Sequence, residues 1–321
     1  MSILVIIENQ NGSIHRISRE AIVGAQSLGT ELELPVKALV FGKNIQPLVD
    51  EVSACDLSEV LKVENELLSD YTAEGWTSTL QQIIVQESPS YVIVGHSYQV
   101  RDYGPKLSVR LKKPMLSDVA GFTIDGGKPV FTRTTFNGKL NSGMVTKCDA
   151  PALICFQSAA FQADSLKAGS APIREITISL SFEDILSKPE APFQEETGGV
   201  DLSSAGLIVS VGRGIGKMEN IPLAEALAKK LGAELGSSRP VVDAGWLPQS
   251  RQVGSSGQTV SPKLYFALGI SGAIQHIVGM KGSKNIIAIN KDADAPIFEI
   301  ADYGVVGDIL EIVPKLTEAL P

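Results

Sequence analysis

The chain is short of the residues that most often announce chemistry. Its 321 residues hold only three cysteines, Cys55, Cys148 and Cys155. That odd number, without a C-x-x-C pair, indicates neither a disulfide framework nor a cysteine zinc site, and fits a reducing compartment. Histidine is as scarce: His15, His96 and His276 lie far apart with no H-x-x-x-H spacing, which argues against zinc. No apolar run approaches the about 20 residues of a membrane-crossing helix. Positive charge is not in excess, the formal net charge being -8, so there is no global attraction to DNA, RNA or an anionic membrane, while local basic sites stay open. The start, MSILVIIEN, passes directly into a strand-like run with neither a basic n-region nor an Arg-rich leader. The expectation is a cytoplasmic protein, or a mitochondrial matrix form from which a leader has been removed.

What is present is an ordinary globular composition, 44% hydrophobic and 20% charged, in a chain long enough for a large core and for two domains. In the first half, short apolar runs alternate with helical repeats. Ile3 to Ile7, Val36 to Phe41 and Tyr91 to Val94 read as strands, and Ser18 to Leu28, Thr72 to Gln86 and a segment near Tyr103 to Leu111 as helices. That rhythm predicts a largely parallel sheet with helices on its faces. Thr123 to Thr134, Thr135 to Thr146 and Ala152 to Phe156 then read as antiparallel strands, with turn pairs at Gly126-Gly127 and Asn137-Gly138. From Ser187 to Ser204 the composition turns polar and rich in Pro, Glu and Gly, the signature of a linker. The rhythm then restarts with strands at Leu207 to Val211, Leu264 to Leu268 and Ile286 to Ile289. Helices are predicted at Leu223 to Leu231, from about Gly272 and from Gly307. The expected fold is therefore α/β with two domains, residues 1–186 and 205–321, each a mostly parallel sheet flanked by helices, joined by a linker over 187–204. The first carries added antiparallel strands and the second is doubly wound.

Four turns in the second domain are dense in donors. Gly212-Arg213-Gly214-Ile215-Gly216 follows a strand but is not G-x-G-x-x-G, and the next helix opens only after Asn220-Ile221-Pro222. A plain turn is one reading. The other rests on Arg213, a fixed planar cation in a glycine turn that lets a ligand approach the backbone. Gly236-Ser237-Ser238-Arg239-Pro240 repeats the pattern after the strand-like Ala233 to Leu235, and is either a surface turn with a solvated arginine or a second ligand turn. Gln252-Val253-Gly254-Ser255-Ser256-Gly257-Gln258 is either a flexible loop or a third. All would converge on one crevice, because the strand ends of an open α/β sheet do.

The fourth is Gly269 to Met280, GISGAIQHIVGM. With a helix from Ala273, Ser271 and Gly272 would sit at its N-terminus, where unpaired N–H groups favour an anion. A Ser–His hydrolase is the competing idea, but Gly269-Ile270-Ser271-Gly272-Ala273 sets the second glycine one place too early for a nucleophile elbow. His276 lies one turn beyond Gly272, and a lone helical histidine is more often packed than functional. His96, at a strand end, reads as structural.

GISGAIQHIVGM, IIAINKDADAPIF at Ile286 to Phe298 and ADYGVVGD at Ala301 to Asp308 together resemble the C-terminal signature of electron-transfer flavoprotein alpha subunits. VGRGIG, SSRPVVDAGW at Ser237 to Trp246 and RQVGSSG at Arg251 to Gly257 resemble the family's other flavin-contact motifs. RDYGPKLSVRL at Arg101 to Leu111 and TRTTFNGK at Thr132 to Lys139 extend the likeness, more loosely, to the first half. Two departures stand out: Gln157-Ser158-Ala159-Ala160-Phe161 where the family often has Arg-Pro-Gly-x-Phe, and Ser256 where threonine is common.

The resemblance implies one non-covalent FAD in the second domain. Its contacts would come from Arg213, Ser238, Arg239, Gln252, Val253, Gly254, Ser255, Ser256, Ser271, Gly272, Ala273, Ile274, Gln275, His276, Asn290, Asp308 and Ile309. Arg239, Ser256 and His276 would tune the flavin ring: Arg239 by stabilising negative charge and so the anionic semiquinone, Ser256 near the reactive nitrogen, His276 at the pyrimidine carbonyl. Gln275 and the backbone of Ser271 to Ala273 would hold the ribityl and phosphate region, with Asn290 and Asp308 on the adenosine side. The resemblance further implies an electron carrier without turnover of its own. A beta subunit would pack on a nucleotide-binding-like first domain and carry AMP or a second flavin. Flavin dehydrogenases such as acyl-CoA dehydrogenases would donate, and a quinone oxidoreductase or another acceptor would receive. A bifurcating, NADH-oxidising complex built on the same subunit is the alternative.

Overall fold

Two units, Met1–Pro192 and Phe193–Pro321, make up the chain in a computed structural model that describes residues 1–10, 12–136, 140–190 and 201–320. The first unit begins with β1 (Ile3–Ile6), buried throughout because it lies inside a sheet covered on both faces. A small antiparallel ribbon, β2 (Asn9–Gln10) and β3 (Ser13–Ile14), leads to α1 (Arg16–Leu32). The side chain of His15 caps that helix by accepting from Ile17 N, and Glu33 ends it in the left-handed conformation. Next come β4 (Val36–Gly42), α2 (Gln46–Ser53), β5 (Glu59–Glu64), α3 (Ala73–Glu87), β6 (Tyr91–Gly95) and α4 (Tyr98–Leu111). The unit's remaining strands are β7 (Met115–Asp125), β8 (Lys128–Thr135), β9 (Leu140–Met144), β10 (Ala152–Phe156) and β11 (Ile173–Glu175).

They form one nine-stranded sheet in the order β11-β5-β4-β1-β6-β10-β7-β8-β9. The period-2 alternation of β1 splits it between two cores: Ile3 and Val5 pack on one side with Ile22 and Leu28, Leu4 and Ile6 on the other with Leu80 and Tyr103. Each such buried aliphatic side chain contributes about 1.5–3 kcal/mol relative to exposure.

Two sequence expectations need correction here. Thr123 to Thr134 is not one strand: it holds the end of β7, a tight turn at Gly126 (φ +54) and Gly127 (φ +76), and most of β8, paired antiparallel in the register Asp125↔Lys128. The Asn137-Gly138 turn lies outside the described residues. Ala152 to Phe156 is not antiparallel. It runs parallel to both β6 and β7. All five of its residues are buried, the unbroken apolar run of an interior strand rather than the alternation of a half-exposed one.

In the second unit β12 (Leu207–Val211), α5 (Ile221–Leu231), β13 (Glu234–Ser237), α6 (Arg239–Asp243), β14 (Leu264–Leu268), α7 (Ile274–Val278), β15 (Ile286–Asn290), β16 (Tyr303–Val306) and α8 (Ile309–Ala319) follow in order. All five strands are parallel, in the order β13-β12-β14-β15-β16. Pro222 in the first turn and Gly232 (φ +63) at the end bound α5. This is the doubly wound fold expected, with β16 and α6 added to the predicted elements. Of the polar stretch 187–204, residues 191–200 lie outside the described residues. Its end already belongs to the second unit, because Leu202 is fully buried there and its N–H donates to Gln258 Oε1 at 2.9 Å. Among the described residues no helix is long and apolar enough to cross a membrane.

Candidate functional site

The strand order of the second unit reverses at β12. The chain leaves β12 for β13 on one side and returns through β14 on the other, so the connections diverge at the carboxyl ends of β12 and β14 and leave a crevice, where open α/β sheets bind ligands. Backbone lines its floor. Gly212 N donates to Leu268 O at 2.8 Å and Gly214 N to Gly269 O at 3.0 Å. Gly269 has φ +63, and a Cβ on it would come 2.8 Å from Gly214 Cα. Gly272 has φ +86, and a Cβ there would sit 2.2 Å from Ile297 N, itself donating to Ser271 O at 3.1 Å. Only glycine permits these approaches. A third wall is the loop after α6: Val253 N donates to Ser237 O and Ser255 N to Gln275 O, which lays the loop along α7.

The cavity so enclosed has a volume of about 570 Å³, within the usual range for ligand pockets. Of the sequence-predicted residues, Arg213, Ser238, Arg239, Val253 to Ser256, Ser271, Ala273, Gln275, His276 and Asn290 line it. Two arginines and four serines thus line a cleft whose walls include the apolar Ile270 and Pro296. Arg239 is exposed at the start of α6 and pairs with Asp243 at 3.3 Å, one turn on. Asn290 is partly engaged: its Nδ2 donates to Ile270 O at 2.9 Å and its Oδ1 accepts from Asp292 N at 3.1 Å.

Five predicted residues lie outside the cavity wall. Gln252 is buried behind it and donates from Nε2 to Ser256 Oγ at 2.9 Å, so it orients a lining hydroxyl. Gly272 is pressed under Ile297, and Ile274 is exposed. Asp308 caps α8 through Leu310 N and pairs with Lys291 at 2.8 Å, which holds its carboxyl below the usual range. Ile309 is packed in the core beside Val313 and Leu227. Both follow β16, two strands removed from the crevice. Sequence reasoning missed Gly214, Pro240, Gly269, Ile270, Asp292, Ala295 and Pro296. The glycines were legible as turn residues, and Asp292 to Pro296 as the loop after the strand next to β14. The helix at Ser271 and Gly272 also begins later than expected: α7 is five residues long with Ala273 at its cap, so Ser271 precedes the helix rather than capping it.

His276 carries the most informative electrostatics. It is almost wholly buried, and burial pulls its pKa down to about 4, so the ring is neutral at pH 7. Its Nε2 lies 2.9 Å from the Tyr265 hydroxyl, while Nδ1 makes no hydrogen bond. Neither nitrogen bonds Ser271, so no nucleophile–base pair is formed. A buried polar atom left unsatisfied costs about 1–3 kcal/mol, and on a residue that lines the cavity it fits a polar ligand there. Among the described residues no group of His, Cys, Asp and Glu is arranged to hold a metal ion.

A doubly wound unit with a glycine-floored crevice at its switch point, cations and hydroxyls around it and an unsatisfied imidazole in its wall belongs to the class that holds phosphate-bearing nucleotide cofactors. Residues 201–281 match the electron transfer flavoprotein FAD-binding domain, and residues 3–181 the electron transfer flavoprotein domain. The chain is 38% identical to the electron transfer flavoprotein subunit alpha of Bacillus subtilis, over 98% of this chain and 96% of that one. It is 34% identical to the alpha subunit of Thermoanaerobacterium thermosaccharolyticum, over 99% and 97%, and 33% identical to the mitochondrial alpha subunit of Arabidopsis thaliana, over 100% and 90%. The chain belongs to the electron transfer flavoprotein family, among its alpha subunits.

Proposed function

We propose that this chain is the FAD-holding alpha subunit of a heterodimeric electron carrier, receiving electrons from flavin dehydrogenases and yielding them to a quinone oxidoreductase or a comparable acceptor. The observation that carries the reading is the crevice itself: backbone pressed against backbone for a pyrophosphate, two arginines, and a neutral buried imidazole with an unused polar atom. Gly212, Gly214 and Gly269 would admit the phosphates, with Arg213 and Ser271 beside them. Arg239, Ser256 and His276 would face the ring, Ser256 oriented by Gln252. When bound, FAD supplies the one- and two-electron chemistry that no side chain offers. The protein's part is to bind, orient and set the electrostatics. Arg239 would supply a permanent cation where reduction adds negative charge, and His276 would offer a dipole rather than a second charge.

The first unit is the platform for the beta subunit, which in turn holds AMP or a second flavin. Exposed apolar side chains on the first unit, among them Tyr98, Val109, Phe136 and Phe182, support that role. The test is direct. The purified complex of the two subunits should be yellow and release FAD on denaturation. A colourless complex that cannot be loaded with FAD would sink the reading.

A further inference from the structure

One residue beneath the crevice has a job that lining the cavity does not give it. Tyr265, on β14, is wholly buried and is not part of the cavity wall. Its hydroxyl makes a 2.9 Å hydrogen bond with His276 Nε2, the rings lying 6.1 Å apart at 60°. Either group can donate across that contact, and the direction decides which ring nitrogen keeps a proton.

If Nε2–H donated, the phenol would have to place its own proton elsewhere. Ser210 approaches it from β12 and acts in the sense of a donor to the phenol oxygen, with its own oxygen outside acceptor geometry. Burial keeps the phenol protonated, and a buried O–H without an acceptor is costly. The remaining acceptor is Nε2. With the ring neutral, Nδ1 must then carry the proton, and Nδ1 is the atom without a hydrogen bond. The backbone of Val253, on the loop beside α7, acts on the ring in the sense that favours protonation, which its carbonyl oxygen does by facing an N–H.

We propose that Tyr265 is a positioning residue. By donating to His276 Nε2 it fixes the neutral imidazole in the Nδ1–H tautomer and leaves that N–H, on a ring the Val253 backbone also approaches but without a closed hydrogen bond, as a donor for an acceptor atom of the cofactor in the cavity. The part that concerns the cofactor rests on the flavin reading above. The tautomer itself does not. It makes His276 a donor of fixed sense, unaltered across neutral pH, in place of a cation that titrates away.

The experiment uses the full chain labelled with ¹⁵N-histidine, whose three imidazoles are separable by comparison with His276→Gln. In flavin-free protein, long-range proton–nitrogen correlations should show His276 protonated at Nδ1 and bare at Nε2. In Tyr265→Phe, which keeps the buried ring, that pattern should give way to Nε2–H or to a mixture. After loading, the dissociation constant for FAD should rise roughly fivefold to tenfold. An Nε2–H tautomer in the unaltered chain, a measurement that needs no variant to fold, overturns the proposal, as does an unchanged pattern in Tyr265→Phe. A chain that shows the tautomer and its dependence on Tyr265 but cannot be loaded with FAD upholds the assignment and overturns the flavin reading alone.

Discussion

In the first unit the strand order reverses at β1, with β6 on its other side, and the polar groups at the carboxyl ends of its strands close on one another. Ser97 Oγ donates to Glu8 Oε1 at 2.5 Å, His96 Nδ1 lies 3.0 Å from Cys155 Sγ, and Arg101 Nε donates to His96 Nε2 at 3.1 Å. In the second unit the equivalent reversal at β12 is walled by glycine, and His276, which lines the cavity there, leaves Nδ1 without a closed hydrogen bond. The same topology makes both crevices. Whether one becomes a site is decided by the residues that arrive there: side chains that partner each other fill it, and glycines with cations and an unused imidazole leave it for a ligand.

The largest effect that would break this contrast is expected at Gly272. A methyl group on its φ +86 backbone would meet Ile297 N at 2.2 Å, where no side chain can give way. Strain and overpacking together should cost Gly272→Ala about 4 kcal/mol and most of its bound flavin, read by urea denaturation and by FAD content. A variant of full stability and loading would mean that the crevice floor is not set by backbone contact.

Glu8 tests the closed crevice. Burial raises its pKa to about 7 against the usual 4.5, despite the hydrogen bond from Ser97, which lowers it. A carboxyl with a raised folded-state pKa favours folding fully below pH 4.5 and loses that contribution as pH rises through 7, about 3 kcal/mol in all. Glu8→Gln keeps the acceptor for Ser97 and cannot ionise. It should match the unaltered chain near pH 4 and exceed it by about 3 kcal/mol at pH 8, in unfolding curves taken across that range. Parallel pH profiles would show Glu8 ionised and the crevice wetter than its packing implies.

Arg239→Ala sharpens the contrast from the open side. Its guanidinium is exposed and shared with Asp243, so the loss is set at the surface scale of about 1 kcal/mol, or roughly 40 mV for one electron. A redox titration should find the flavin midpoint lowered by that order. An unchanged midpoint would return Arg239 to the surface-turn reading.

Much of this was legible in the residues. The alternation of ILVI-type runs with helical repeats gave the parallel sheets, and the four donor-rich turns meet at one crevice because strand ends converge. Less legible were elements whose composition hides their place. β5 interleaves Glu59, Lys62 and Glu64 with apolar residues because its charges pair with neighbours such as Arg174 and Glu175. β10 lies between two parallel neighbours, and no short apolar run states its direction. Asp308 and Ile309 lie beyond the cavity wall because a further strand, β16, intervenes in the sheet, which motif proximity along the chain does not reveal. Tyr265 read only as part of an apolar strand, since its hydroxyl reaches a residue eleven places on.

The smallest expected effect concerns the turn after β10, where the chain departs from the family's Arg-Pro-Gly-x-Phe pattern. Ala159 occupies the left-handed region at φ +65, and its N–H donates to Oε2 of the buried Glu20 at 2.7 Å. Glu20 also receives Arg16 Nε at 3.2 Å, so the turn is tied to α1 through a carboxylate rather than relaxed by a glycine. Phe161 then packs edge-on against Phe156, centroids 4.7 Å apart. An alanine held there carries about 1–2 kcal/mol of backbone strain, and glycine would relieve it at an unfolded-state entropy cost of about 0.4–1 kcal/mol. Ala159→Gly should therefore stabilise the chain by about 0.5–1 kcal/mol, a shift in thermal midpoint of about 1–4 °C. It should leave FAD content and midpoint untouched, because it acts in the unit whose crevice is closed. A gain in flavin affinity would mean that the two crevices are coupled, and a net loss of stability that the Ala159 methyl contributes more by packing than its backbone loses by strain.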